Sequence, residues 1–167
     1  MGEAMREPTI TRVWAMPNKN TFQIKPIEEL ITKYIRACPS GKMLDPFPYP
    51  YKEEALIFLS RFTLESQDGV LFDPPYSPRQ LKECYESIGQ PLHDTTSAVW
   101  KRWKDEIARV IKPSGVCISF GWSTNGLGKK RGFEIIEILL VAHGGNHNDT
   151  IVTVERKIPA SHSGERE

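Results

Sequence analysis

The sequence has no apolar run near the ~20 residues that a membrane-spanning helix needs. Its longest, Ile135–Ala142, contains Glu137 and is the length of a strand. It lacks the basic-then-apolar start of a secretory leader. It also lacks an excess of charge: Lys plus Arg is 22, Asp plus Glu is 21, and the net charge is +1. Global charge therefore argues neither for nor against nucleic acid, and any such role must rest on local patches. There is no C-x-x-C pair. Cys38, Cys84 and Cys117 are dispersed, the pattern expected of reduced, buried thiols in a cytoplasmic protein. His143 and His147 have no third ligand at useful spacing. Their Gly/Asn surroundings read as a turn, so no metal is expected.

What remains is the composition of an ordinary globular domain. The 167 residues are 39% hydrophobic and 26% charged, enough for one sizeable core and short for two. Residues 1–159 are expected to form one domain, followed by a polar tail, 160–167, without fixed structure. Residues 1–20 read as polar and irregular apart from Val13–Met16. Thr21–Ile24 reads as extended. Pro26 stands at a helix start, and Ile27, Leu30, Ile31, Tyr34 and Ile35 recur at helical spacing.

Lys42–Asp45 is a short strand candidate and Glu53–Phe62 a helix. Val70–Phe72 ends a continuous apolar run, as a buried parallel strand would. Ser77 caps a helix carrying Pro78 in its first turn. A long helix from Thr95 or Thr96 to Ile111 puts Val99, Trp103, Ile107 and Val110 on one face. Lys112–Gly115 reads as a tight turn and Val116–Trp122 as a strand. A hairpin of Phe133–Ala142 and Thr150–Arg156 closes the chain. Strands alternating with helices imply an α/β fold, with a mostly parallel sheet and a C-terminal antiparallel hairpin.

The sharpest signal is Asp73-Pro74-Pro75-Tyr76. Two prolines stiffen the backbone and leave carbonyls free to face a ligand. Asp73 sets a carboxylate at a strand end, where open α/β sheets bind ligands. Tyr76 adds a flat ring. The set suits a planar base with an exocyclic amino group: Asp73 and the Pro74 carbonyl accept its two N–H bonds and Tyr76 stacks on it. Basic candidates for phosphate contact are Arg79, just past the tetrapeptide, and Lys129-Lys130-Arg131 in a Gly-rich loop. Lys101, Arg102 and Lys104 read as a solvated helix face. The tryptophans read as core, with Trp122 a candidate for the base pocket.

The tetrapeptide resembles the D/N-P-P-Y/F motif of S-adenosylmethionine-dependent DNA amino-methyltransferases, which act on adenine N6 or cytosine N4. Thr21–Ile27 looks like that family's cofactor-proximal segment, and Asp45-Pro46-Phe47 like its D-P-F. The resemblance spans roughly Arg12 to Lys157. It implies a Rossmann-like methyltransferase sheet and S-adenosylmethionine held near Phe22, Ile24, Lys25, Pro26, Asp45, Pro46, Phe47 and Asp73. It implies DNA as partner, with adenine favoured. An RNA or protein-amide acceptor, or a binding protein of reduced activity, are the other readings.

The chain departs from the family at two points. Pro48-Tyr49-Pro50-Tyr51 stands where a glycine-rich bend is usual. The segment from Asp45 to Asp73 is also shorter than the ~30 residues of one strand–helix–strand unit, so the second-strand region is expected to be missing or shortened. Only Glu53 and Glu54 stand near enough to replace its ribose-binding acid. Otherwise they are the solvated first turn of a helix. The exposed edge at Lys42–Asp45 is expected to be covered by the N-terminal segment or a second subunit.

Overall fold

The computed structural model describes residues 6–90, 92 and 97–160. The helix start expected at Thr95 or Thr96, and tail residues 161–167, lie outside them. The elements are β1 (Thr9–Trp14), α1 (Lys25–Ala37), α2 (Ala55–Leu59), β2 (Gln67–Phe72), α3 (Pro78–Ser87), α4 (Ser97–Val110), β3 (Ile111–Gly121), β4 (Phe133–Ala142) and β5 (Thr150–Lys157). They form a mixed α/β fold around one five-stranded sheet, ordered β1-β4-β5-β3-β2. β1 is parallel to β4 and β2 to β3, while β5 is antiparallel to both its neighbours. Four strands therefore point one way and β5 opposes them. The β4–β5 hairpin falls where the alternation predicts it.

Helices cover both faces. Ile27, Leu30, Ile31 and Tyr34 of α1 pack with Leu71, Ile118, Phe120, Val152 and Val154. On the other face, Leu81, Tyr85, Val99, Trp103 and Ile107 of α3 and α4 pack with Val70, Phe72 and Cys117. Successive residues of β2 thus serve opposite cores, as the strand's twofold periodicity requires.

Several sequence expectations are corrected. Thr9–Trp14 is a strand rather than irregular chain. At the sheet edge its residues are mostly exposed, so no apolar alternation marks it. It lies at the edge opposite Leu44, and this strand therefore leaves the Lys42–Asp45 edge uncovered. Lys42–Asp45 is not itself a strand. Leu44 alone bridges Val70, donating to the Gly69 carbonyl and accepting from Leu71 N–H. Pro46 and Pro48 cannot extend the ladder.

Thr21–Gln23 is a 3-10 turn capped by the Asn20 side chain, not extended chain. α2 is shorter than Glu53–Phe62: Glu54 caps its start, and past Leu59 the chain turns with Arg61 and Phe62 N–H bonded three residues back. The expected turn at Lys112–Gly115 is a bulge inside β3, with Ser114 at φ 67°. Of the tryptophans only Trp103 is fully buried; Trp14 and Trp122 are exposed. Among the described residues no helix is long and apolar enough to cross a membrane.

Candidate active site

β2 is buried along nearly its whole length, and its ladder stops where the prolines begin. Pro74 and Pro75 have no N–H to offer β3. The chain therefore turns off the sheet at the C-terminal ends of β2 and β3. Ser77 starts α3 two residues later, its hydroxyl accepting from Gln80 N–H at 3.2 Å. Gln80 Oε1 accepts from Tyr76 N–H at 2.9 Å. The tetrapeptide is thus held between a strand end and a capped helix.

Asp73 Oδ1 accepts a hydrogen bond from the Tyr76 hydroxyl at 2.8 Å. Burial pushes the Asp73 carboxyl up to about 6, against the lowering effect of hydrogen bonds from Tyr76 and Thr21. Burial, with the charge of Asp73, also raises the Tyr76 phenol. No ion pair involves Asp73 among the described residues. A half-buried carboxylate without a cation, beside a cavity, is the kind of group that functional sites maintain.

Two cavities meet at this corner. The first, of about 320 Å³, is walled by Phe22, Phe47, Tyr49, Tyr51, Asp73 and Tyr76. The second, of about 220 Å³, lies towards α4 and β3 and is walled by Trp100, Phe120, Trp122, Ser123 and Asn125. Pro74, Pro75 and Tyr76 belong to both. The Tyr76 and Trp122 rings stand edge to face, centroids 5.4 Å apart. Phe47 is fixed from behind by Phe72 and Trp103, at 5.7 and 4.8 Å.

Of the residues singled out in the sequence, Phe22, Phe47, Asp73, Pro74, Pro75 and Tyr76 come together at the first cavity. Ile24 is buried in the core under α1, while Lys25 and Pro26 form its first turn with Lys25 exposed. Asp45 accepts from Phe47 N–H at 3.0 Å and shapes the turn that presents the Phe47 ring. Burial raises its carboxyl. Pro46 is buried behind it.

Arg79 is exposed on α3 and pairs with Glu83 at 2.8 Å. Lys129-Lys130-Arg131 form a 3-10 turn. Within it Lys129 and Lys130 are exposed, while Arg131 is tied to Asp105 at 2.8 Å and to the Leu127 carbonyl at 3.0 Å.

Glu53 and Glu54 are not at the site. Glu53 pairs with Arg61 at 2.6 Å. Glu54 is buried rather than solvated, accepting from Leu56 and Ile57 N–H and from Trp103 Nε1. Thr21, at the start of the cofactor-proximal segment, lines the first cavity, and Tyr49, Tyr51, Trp100 and Asn125 join the walls without having been singled out as site residues in the sequence. The dense aromatics of the Pro48–Tyr51 run were the available signal: Tyr49 and Tyr51 become cavity wall. His143 is structural, bonded to the Ala15 carbonyl and the Thr150 hydroxyl at 2.8 Å each.

No protein-family model matches the chain, and no curated protein does. Among solved structures it is similar to a protein from Thermus thermophilus, provisionally described as a DNA modification methylase. The identity is 16%, the coverage 66% of this chain and 51% of that one, and the TM-score 0.40. This chain therefore spans about half the length of that structure. A likeness of that size assigns neither activity nor substrate.

Proposed function

We propose that the chain is a DNA methyltransferase that moves a methyl group from S-adenosylmethionine to the N6 amino group of adenine. The observation that carries this reading is the shared wall: Pro74, Pro75 and Tyr76 separate an aromatic cavity containing Asp73 from a second cavity lined by Trp100 and Trp122. A methyl transfer to a base needs donor and acceptor sites that open onto each other at one point, and these two cavities meet at Pro74, Pro75 and Tyr76 beside Asp73.

The residues of the first cavity fit the cofactor. Its volume of about 320 Å³ lies within the range of small-molecule sites. The rings of Phe47, Tyr49 and Tyr51 suit an adenosine ring and a sulfonium cation. S-adenosylmethionine bound there supplies an electrophilic methyl group. The chain's own residues bind, orient and exclude water. Tyr76 and Trp122 receive an extruded adenine. Its amino group displaces the Tyr76 hydroxyl from Asp73 Oδ1 and donates its second N–H to the Pro74 carbonyl. Two accepted bonds move electron density onto the nitrogen and fix its lone pair. Asp73, ionised at neutral pH with its value near 6, orients the amine and takes up the acidic proton that the nitrogen sheds once methylated, for which it need not be a strong base. Arg79, Lys129 and Lys130 are the surface cations available to phosphates.

A second reading, a DNA- or partner-binding protein of reduced activity, is favoured by one feature. Tyr49 and Tyr51 stand in the cavity wall where glycines would let backbone approach the cofactor. Calorimetry with S-adenosylmethionine, then methyl transfer to duplex DNA with Asp73→Ala as control, separates the two. Binding and Asp73-dependent transfer are expected. No binding at millimolar cofactor selects the second reading, and transfer to RNA or protein alone selects a different acceptor.

A further inference from the structure

A third cavity, of about 460 Å³, adjoins the acceptor side of the corner and shares Lys104 and Asn125 with the second. One side of its wall is the loop between β3 and β4, the other side including Arg6 and Pro8, and that loop is built rather than loose. Glu155 of β5 is 1% exposed. Its two oxygens accept from Leu127 N–H at 2.6 Å and Gly128 N–H at 2.9 Å. From α4, Lys104 donates to the Asn125 carbonyl at 2.9 Å, and Arg131 bonds the Leu127 carbonyl. Gly126 is required by this closure, since a Cβ there would come within 2.0 Å of Glu155 Oε2.

We infer that this third cavity is a nucleotide subsite, taking the base that flanks the one held against Tyr76 and Trp122. The inference rests on the proposed acceptor slot and names the next part of the same substrate. A dinucleotide laid across both cavities puts its linking phosphate over Lys104, which has further N–H donors beyond the one given to Asn125, and near exposed Lys129. Burial and the neighbouring Arg131 hold the Lys104 ammonium below its ordinary range; a phosphate beside it relieves both effects. Glu155 has each oxygen engaged by the loop. Glu134 pairs in register with Arg156, on the sheet face opposite Phe133 and Glu155, so no free carboxylate of this wall reads the flanking base and the subsite takes either pyrimidine.

The test is an NMR titration following the Trp122 indole and the Gly126 amide. The probes are deoxyadenosine monophosphate and the single-stranded dinucleotides that join deoxyadenosine to cytosine or to thymine. Expected are a dinucleotide roughly tenfold tighter than the mononucleotide with either base, and movement of Gly126 only with the dinucleotides. Lys129→Ala should remove several-fold of the gain. Equal affinity of mononucleotide and dinucleotide, or a gain untouched by Lys129→Ala, overturns the subsite while leaving the acceptor slot intact. A mononucleotide that fails to move Trp122 overturns the acceptor slot instead. In that case dinucleotide binding that depends on Lys129 keeps the third cavity as a site, and its absence removes both.

Discussion

The Tyr76 hydroxyl donates to Asp73 Oδ1 at 2.8 Å, which joins the two side chains proposed to act on a base. In the proposed reaction the phenol occupies the position that the amino group would take. It also stabilises the carboxylate, since that hydrogen bond lowers a value that burial raises.

Tyr76→Phe should therefore separate the two roles of the residue. The ring against Trp122 remains and the donor is lost. The Asp73 carboxyl is expected to rise above about 6, read from its carbon chemical shift in an NMR titration. Methyl transfer should fall less than about tenfold, with its acid limb moved to higher pH. Tyr76→Ala, which also removes the stacking face, should lose about 10- to 100-fold, on the scale of one base–aromatic contact. Equal losses in the two variants would make the hydroxyl, not the ring, the working part.

Asp73 should also leave a signature in stability. Its folded value, about 6, lies above the ordinary 3.8. The native state thus binds the proton more tightly than the unfolded chain. The ionised form is a cost that is absent below pH 4 and grows as pH rises through 6. Asp73→Asn should remove that slope and stabilise the protein at pH 7 by roughly 2 kcal/mol. Urea unfolding at half-unit steps between pH 4 and 7 reads it directly. Asp68 has the opposite sign: hydrogen bonds from Ser40 and Lys112 hold it down near 2. Its contribution is present above pH 4 and lost as pH falls towards 2. A variant with an unchanged slope between pH 4 and 6 would mean Asp73 is not the perturbed acid described.

Much of the site was legible because its signals are local. A buried apolar run, two prolines and a Ser–Pro helix start lie within ten consecutive residues, and each acts on its neighbours. The α4 face of Val99, Trp103, Ile107 and Val110 was legible for the same reason. What escaped the sequence depends on partners far away in it. β1 shows no alternation because an edge strand need not bury a face. Leu44 is a strand fragment only because Gly69 and Leu71 reach it. Glu54 looks like a solvated first-turn acid until Trp103, 49 residues on, donates to it. Glu155 is a polar residue in a strand whose reason is a loop 27 and 28 residues earlier.

Glu54 supplies a stability test free of any functional reading. Its carboxylate satisfies two helix N–H groups and the Trp103 indole from a buried position. Glu54→Ala strands all three donors and opens a void, which should cost about 3 kcal/mol. Glu54→Gln keeps an acceptor oxygen for only part of the set and should fall between. Thermal unfolding of both variants, with Trp103 fluorescence as probe, gives the order; a loss below about 1 kcal/mol for Glu54→Ala would show the cap to be solvated.

The loop wall can be tested by a pair of substitutions that ought to compensate. Gly126→Ala drives a methyl group into Glu155 Oε2, where an ideal Cβ would stand 2.0 Å away. The carboxylate is fully buried and both its oxygens are engaged, so it cannot swing aside without stranding Leu127 and Gly128 N–H. The single change should cost about 3 kcal/mol, and hydrogen exchange at those two amides should speed up. Glu155→Asp draws the carboxylate back by one methylene. Alone it lengthens both bonds and destabilises. Combined with Gly126→Ala it makes room for the methyl, so the double variant should be more stable than the sum of the singles predicts, a coupling above about 1 kcal/mol. Strict additivity, with unchanged exchange at Leu127 and Gly128, would mean that Glu155 does not hold this loop and that the third cavity has no fixed wall.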